Sequence, residues 1–353
     1  MTRKQTAERD APPADGRIWQ AVDRLIDRAP DVRALKANRL HLLAARRWRE
    51  GGMPVPEELE AAERRNVVAT LVAPEILARA RRACDGPLVL HKGPEIGSWY
   101  PDPALRPFVD LDLLVPDVAS VQRSLVAAGF VEVGDPDVYE SSPHGLPLQW
   151  PGLPLLVEVH RDPNWPSWVP LRPTSEFLAE AVPSRLGVAG ISTLARHHHT
   201  LVVAAHSWAH GPFSRVGDLV DVAVLSDGLD RGELAALARR WGLERIWRTT
   251  LETVDAVLFG APTPLAVRLW ARNLPSVRER TIFEIHVGRW LAGFSGAGPG
   301  RGLRVLGHEL AKDLRPLKGE PWTVKLGRAR LALRNARVTK SRHDEDLRRT
   351  GRL

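Results

Sequence analysis

Residues 88–116, LVLHKGPEIGSWYPDPALRPFVDLDLLVP, contain two apolar segments separated by a turn and a stretch of mixed composition. The first apolar segment, Leu88–Leu90, predicts a short strand that ends at the Lys92-Gly93 turn. A brief helix or loop follows, and residues 109–115 predict a second strand. Two strands this close in sequence indicate a sheet, and this sheet is expected to organise the rest of the chain.

Asp110 and Asp112 lie two positions apart on the second predicted strand. Side chains at that spacing share one face of a strand, so both carboxylates are expected to point the same way. Three apolar neighbours are expected to point into the core instead: Val109, Leu111 and Leu113. Two adjacent carboxylates repel each other and resist burial, so they need a cation or open water. A divalent metal ion meets that need, although an exposed strand face also alternates apolar and acidic residues.

A third acid, Glu158, lies in the alternating run LLVEVH at residues 155–160, which predicts another strand. This strand is expected to bring Glu158 back towards the two aspartates. His160 shares its strand face, and we interpret it as a hydrogen-bonded neighbour of the acids rather than as a metal ligand. Three acids on two strands behind a glycine turn are typical of metal-dependent phosphoryl or nucleotidyl transfer.

The combination resembles the nucleotidyltransferase superfamily related to DNA polymerase β, and within it a bacterial family of uncharacterised nucleotidyltransferases. The similarity spans roughly residues 85–225, and it is carried by Lys92-Gly93, Tyr100-Pro101, Arg106, Asp110-Leu-Asp112 and Glu158-Val-His160. In one place the sequence departs from the family pattern, because Gly93-Pro94 replaces the usual Gly-Ser or Gly-Gly pair. Proline has no backbone N–H, so one donor to a phosphate is missing there.

The resemblance implies transfer of a nucleoside monophosphate from an NTP to an acceptor hydroxyl, with release of pyrophosphate. Asp110, Asp112 and Glu158 would hold Mg²⁺, or Mn²⁺ in its place. Backbone amides and a lysine at a strand-to-helix turn can hold phosphate oxygens, and the candidates for nucleotide contacts are Lys92, Gly93, Ser98 and Arg106. Arg106 can also pair with an aspartate. ATP or another NTP is the expected substrate, and the acceptor is an RNA, a protein or a small molecule.

Two other functions remain open from the sequence. The missing donor at Pro94 favours a module that binds a nucleotide or RNA without turning it over. His206 and His210 lie four positions apart on a predicted helix and could begin a zinc site for hydrolysis, although no third ligand is indicated by spacing. In the family these histidines, with Arg215 and Asp221, would belong to a helical pair that lines the cleft.

The chain has 353 residues, of which 44% are hydrophobic, enough for a large core and for two packed units. Its formal charge of +8 is concentrated partly in a basic tail from Lys312, which could hold nucleic acid, an acidic protein or anionic lipid, or form a solvated end. The single cysteine, Cys84, excludes an intrachain disulfide and a zinc site built from cysteines. With no secretory signal and no membrane span recognised, the expected location is the cytoplasm.

The predicted fold is α/β, with a mixed-sheet nucleotidyltransferase core, helices before it and a helical domain after it. Pro74 is expected to kink or divide a long helix, and the glycine-rich residues 293–302 predict a less regular segment. The predicted divisions are a disordered leader (1–16), an N-terminal helical region (17–84), the core (85–190), a helical domain (191–275) and an irregular to helical basic C-terminal region (276–353).

Overall fold

A computed structural model describes residues 16–134, 145–170, 172–209, 211–316 and 320–349. The expected disordered leader lies outside these ranges except for Gly16, which already belongs to the first helix. His210 also lies outside them.

The N-terminal part of the chain is helical, as the apolar spacing predicts. Its helices are α1 (Gly16–Ile26), α2 (Val32–Ala37), α3 (His41–Glu50) and α4 (Glu57–Ala83). The expectation that Pro74 divides the long helix is wrong, because α4 continues through it. A proline removes one helical hydrogen bond, but α4 buries Ala73, Ile76 and Leu77 around this position, and that burial favours an unbroken helix.

A mixed sheet follows, as predicted, and among the described residues it has seven strands in the order β3-β4-β5-β2-β1-β7-β6. The strands are β1 (Leu88–Leu90), β2 (Asp110–Leu114), β3 (Val131–Glu132), β4 (Leu148–Gln149), β5 (Leu156–His160), β6 (Val182–Pro183) and β7 (Ile191–Thr193). The sequence did not predict β6 and β7, and β7 begins where a helical pattern was expected. β7 is only three residues long, and its parallel pairing with β1 spans about a hundred residues of chain, so no local pattern marks it.

Short helices connect these strands. They are α5 (Pro94–Gly97), a 3₁₀ turn (Pro103–Leu105), α6 (Val118–Ala127) and α7 (Thr174–Ala179). Helix α6 begins where Pro116-Asp117 predicts a start, because the Asp117 carboxylate accepts a hydrogen bond from the Ser120 N–H at 3.0 Å. Gly129, with φ +105°, follows its end.

After β7 the described residues are mostly helical. The helices are α8 (Arg196–Ala209), α9 (Val216–Ser226), α10 (Arg231–Arg240), α11 (Glu244–Phe259), α12 (Leu265–Trp270), α13 (Ile282–Ala297), α14 (Pro299–Leu314), α15 (Trp322–Arg334) and α16 (Lys340–Arg349). The glycine-rich segment is therefore not irregular, since it forms the end of α13 and the start of α14. Its glycines allow two helices to approach closely: a Cβ on Gly293 would lie 2.7 Å from Val305 Cβ.

The two faces of the sheet pack against different parts of the chain. Leu111 and Leu113 point into a core shared with α4 and α6, as predicted, whereas Leu114 belongs to the larger core formed by the helices. Val109 was expected to point inward, but its side chain is exposed. It precedes β2, which begins only at Asp110, so strand alternation does not place Val109 in the core. Leu114 shares the face of β2 that carries Asp110 and Asp112, so this acidic face is directed towards the core that contains α8 and α9.

No helix in the described part of the chain combines the length and apolar character needed to cross a membrane.

Candidate active site

Parallel pairing of β2 with β5 places the acids of the two strands side by side. Asp112 lies directly opposite Glu158 in the register, and Asp110 lies opposite Leu156, two positions along the same face. Because parallel partners in register point to the same side of a sheet, all three carboxylates share one face. The return of Glu158 to the aspartates is thus a direct result of strand pairing.

His160 joins Asp112 and Glu158. Its Nε2 lies 3.1 Å from Asp112 Oδ1 and 3.4 Å from Glu158 Oε2. One ligand atom from each of these three side chains lies within 4.8 Å of the others, a spacing that can hold a metal ion. Asp110 is not in this group, although its charge interacts with those of both other acids. The position of His160 agrees with a role in orienting the acids, and its imidazole is also close enough to act as a ligand.

The turn after β1 contributes a positive charge. Lys92 Nζ lies 2.7 Å from Asp112 Oδ1, and the lysine side chain is mostly buried. Gly93 follows with φ +59° and ψ −129°, a conformation open mainly to glycine. A Cβ at this position would lie 2.8 Å from the Asp110 carbonyl oxygen. The turn therefore lies closer to β2 than a residue with a side chain would allow. Lys92 is therefore fixed against the acids by its backbone as well as by its charge.

The acids and the histidine perturb each other's protonation. Burial opposes ionisation of Asp112, but contact with His160 and the charge of Lys92 outweigh it and hold the pKa of Asp112 well below its usual value. Burial and the neighbouring charge of Asp112 raise the pKa of Asp110 to about 6. Burial also disfavours protonated His160, yet its contacts with Asp112 and Glu158 raise its pKa. The site thus contains more negative charge than its own cations balance easily.

The guanidinium group of Arg106 is hydrogen-bonded to other residues of the protein. Its Nε and Nη2 donate to the two carboxylate oxygens of Asp221 at 2.9 and 2.8 Å, and its Nη1 donates to the Gly93 carbonyl at 2.9 Å. The Tyr100 hydroxyl donates to the same aspartate at 2.7 Å. This buried network connects helix α9 to the glycine turn. Arg106 and Asp221 therefore fix the position of the turn through its buried Gly93 carbonyl. Arg106 therefore pairs with an aspartate, as the sequence allows, and its contact with a phosphate stays a prediction.

Ser98 lies at the end of α5, where its hydroxyl donates to the Glu95 carbonyl at 2.6 Å. In this position it caps the short helix. A nucleotide contact by Ser98 stays a prediction.

Two histidines for which the sequence predicts no role lie beside the site. His91 Nδ1 lies 3.1 Å from the Asp112 carbonyl oxygen, and His199 Nε2 lies 2.7 Å from the His91 carbonyl oxygen. Burial lowers the pKa of His91 and lowers that of His199 to about 4, so both are neutral near pH 7. The signal for His91 in the sequence is its position next to Lys92. The run of three histidines at 197–199 does not indicate which of them contacts the sheet.

His206 and Trp165 make contacts within the protein. His206 Nδ1 lies 3.3 Å from the Asn164 carbonyl oxygen, and the other member of the proposed zinc pair, His210, is outside the described ranges. Trp165, in the loop after β5, packs against Phe177 and Trp241.

A comparison with protein families finds a model described as an uncharacterised nucleotidyltransferase that matches residues 28–259. Comparisons with curated proteins and with solved structures find no match. The matched segment contains α2 to α11, the whole sheet, and every acid, lysine and glycine of the site. Because it also covers more than half of the chain, the protein belongs to the uncharacterised nucleotidyltransferase family.

Proposed function

We propose that the protein transfers a nucleoside monophosphate from an NTP to an acceptor hydroxyl and releases pyrophosphate. One observation carries this proposal: Asp112 and Glu158 lie opposite each other on parallel strands, with Asp110 on the same face and the Lys92-Gly93 turn beside them. Membership in a nucleotidyltransferase family supports the same class of reaction. In this reaction the acceptor oxygen forms a bond to the α-phosphorus, and the bond to the pyrophosphate oxygen breaks.

The donor set fits a divalent cation. Carboxylate oxygens are the ligands that Mg²⁺ and Mn²⁺ prefer, and Asp112, Glu158 and His160 already present ligand atoms within 4.8 Å of one another. Burial, followed by the negative charge of Asp112, raises the pKa of Asp110, and a bound cation would relieve the repulsion between these carboxylates. Asp110, Asp112 and Glu158 would hold the ion, which offsets phosphate charge and lowers the pKa of a bound hydroxyl.

The other residues of the site have roles that follow from their positions. Lys92 can exchange its contact with Asp112 for a triphosphate oxygen, because its ammonium group already lies at the acids and its side chain keeps 17% exposure. Gly93 lets the turn lie against β2, and Arg106 holds the Gly93 carbonyl from the buried side. His160 positions the carboxylates of Asp112 and Glu158 through its Nε2.

Label transfer tests the proposal. The full chain is mixed with Mg²⁺, each α-labelled NTP in turn, and an extract that contains RNAs, proteins and small metabolites. We expect label from one or more NTPs to enter one acceptor class, with an equal amount of pyrophosphate released. Asp112→Asn and Glu158→Gln should each lower the rate by at least about 100-fold, since each removes a charged ligand.

Glu57→Gln is the matched control, because this exposed acid at the start of α4 lies outside the site. Transfer by Asp112→Asn at the rate of the unaltered protein would contradict the proposal. So would the absence of label transfer to every acceptor class in the presence of Mg²⁺ and Mn²⁺.

A nucleotide-binding module without turnover is the second candidate. Pro94 stands at the first position of α5, where another residue would offer a backbone N–H to a phosphate. Calorimetry with NTP and Mg²⁺ separates the two functions: tight binding without pyrophosphate release on any acceptor favours the module. If RNA is bound, the basic helices after Lys312 are the expected contact surface, and binding should weaken steeply with salt.

A further inference from the structure

A second group of metal-ligating side chains lies away from the carboxylate site. Glu180 follows α7 at its C-terminal end, and His197 and His198 are in the first turn of α8. Glu180 Oε2 lies 3.3 Å from His197 Nε2 and 3.5 Å from His198 Nε2. All three ligand atoms lie within 4.8 Å of one another.

These separations match those around a small four-coordinate ion. Zinc binds imidazole nitrogen and carboxylate oxygen at about 2.0–2.2 Å, so two ligands of a tetrahedral site lie about 3.3–3.6 Å apart. Both distances from Glu180 fall within this range. Two imidazoles with one carboxylate are also a ligand set that suits zinc and similar transition ions better than magnesium.

His198 provides independent support. Its side chain is 2% exposed, and its ring lies 4.7 Å from that of Trp241 and 6.3 Å from that of Phe177, measured between ring centroids. Its Nδ1 has no hydrogen-bond partner among the described residues. In a neutral imidazole whose Nδ1 carries the proton, Nε2 has a lone pair that can bind an ion.

We propose that Glu180, His197 and His198 form a transition-metal site, of the zinc class, distinct from the carboxylate site on the sheet. The next residue, His199, contacts the His91 carbonyl beside the carboxylate site, so the two sites lie on different sides of the first turn of α8. A bound ion would connect the link between α7 and β6 to α8. Because the ligands come from separate segments, the ion stabilises the folded chain rather than an isolated peptide.

Zinc titration of the full chain tests this inference. The chain is first freed of metal by a chelator and is then kept in excess Mg²⁺, which occupies the carboxylate site. We expect one equivalent of Zn²⁺ to bind and to raise the thermal unfolding midpoint, and Co²⁺ to give the visible absorption of a coordinated ion. His197→Gln and Glu180→Gln should each weaken zinc binding by at least about 100-fold and remove the thermal shift. Both side chains are partly exposed, so these variants are expected to fold.

Two control variants show whether zinc binds at Glu180, His197 and His198 or at the carboxylate site. Glu158→Gln, in the carboxylate site, and His308→Gln, an exposed histidine of α14, should bind zinc as the unaltered protein does. The inference fails if the unaltered protein binds no zinc, or if zinc binding survives His197→Gln and is lost in Glu158→Gln. These outcomes are independent of label transfer, so the proposed function can fail while this inference holds.

Discussion

Arg106 and Arg231 make the same two-bond contact with a carboxylate in different surroundings. Arg106 binds Asp221 at 2.8 and 2.9 Å with 8% of its side chain exposed, and Arg231 binds Asp255 at 2.9 Å through two nitrogens with 64% exposed. The surroundings decide the energetic cost of losing the pair. Removing one partner of a buried pair leaves an uncompensated charge, whereas water replaces the partner of an exposed one.

We therefore expect Arg106→Met to lower the free energy of unfolding by about 3–5 kcal/mol. Arg231→Met, the matched control, should lower it by less than about 1 kcal/mol. Urea unfolding of both variants measures the difference. Equal losses would show that burial does not determine the contribution of the Arg106 pair.

Glu95 is a fully buried acid on α5. It accepts a hydrogen bond of 2.5 Å from the Ser184 hydroxyl and one of 3.2 Å from the Arg185 N–H. Burial outweighs these contacts and raises its pKa to about 7. Since its pKa in the folded chain is above that in the unfolded chain, the native state binds more protons between about pH 4.5 and pH 7. Stability due to Glu95 is thus complete below that range and is lost as the pH rises through it.

Glu95→Gln removes this dependence because the amide does not ionise. The free energy of unfolding of the variant, minus that of the unaltered protein, should increase by about 3 kcal/mol as the pH rises from 4.5 to 8. Urea unfolding across this range measures the change, with Glu252→Gln, an exposed acid of α11, as the control. A difference that stays constant with pH would contradict the assigned protonation of Glu95.

At the scale of elements, the contact between α13 and α14 depends on glycine. A Cβ on Gly293 would lie 2.7 Å from Val305 Cβ, and a Cβ on Gly302 would lie 2.8 Å from the Phe294 ring. The helices therefore meet at a distance that only a residue without a side chain allows. Glycine costs helix propensity, and the close packing of these two helices offsets that cost.

Gly293→Val should destabilise the protein by about 1–3 kcal/mol, because the helices must separate to accept it. Gly307→Ala is the control within α14, since no atom lies within 4 Å of the added methyl group. That substitution should leave stability unchanged or raise it slightly. Thermal unfolding of the two variants distinguishes them, and similar midpoints would mean that the helix contact adapts to a side chain.

At the scale of the whole molecule, the core continues beyond the segment that matches the family. Trp270, Leu274 and Val277 are buried in the same cluster as α8 and α9. Asn273 donates to the Ser214 carbonyl at 3.2 Å, and Arg280 donates to the Pro212 carbonyl. Residues that follow position 259 therefore hold the loop that leads into α9. The matched family segment consequently lacks part of the packing and hydrogen bonding that hold the loop before α9, the helix that carries Asp221.

A chain that ends at residue 259 should give little soluble protein and no cooperative unfolding, because it exposes this apolar surface. A chain that ends at residue 316 keeps α12 to α14 and should unfold cooperatively at a lower midpoint than the full chain. Soluble yield and circular dichroism during heating measure both. Cooperative unfolding of the shorter chain at the midpoint of the full chain would show that the family segment is independent.

The sequence by itself determined the local framework of this protein. Alternation predicts β2 with both aspartates on one face, Lys92-Gly93 predicts the turn after β1, and Asp117 predicts the start of α6. These features depend on side-chain periodicity, backbone conformation and capping, which act between residues close in the chain. The acid of β5 was identified for the same reason, together with the family resemblance.

Only the tertiary structure decided how distant segments meet. The partner of Arg106 lies 115 residues away, β7 joins the sheet through β1, and Glu180 meets His197 across the end of α7. Several side chains in these segments offer similar charges, and burial in the folded chain selects among them. Pairings of this kind have no local signature, because their free energy comes from the surfaces that the whole chain removes from water.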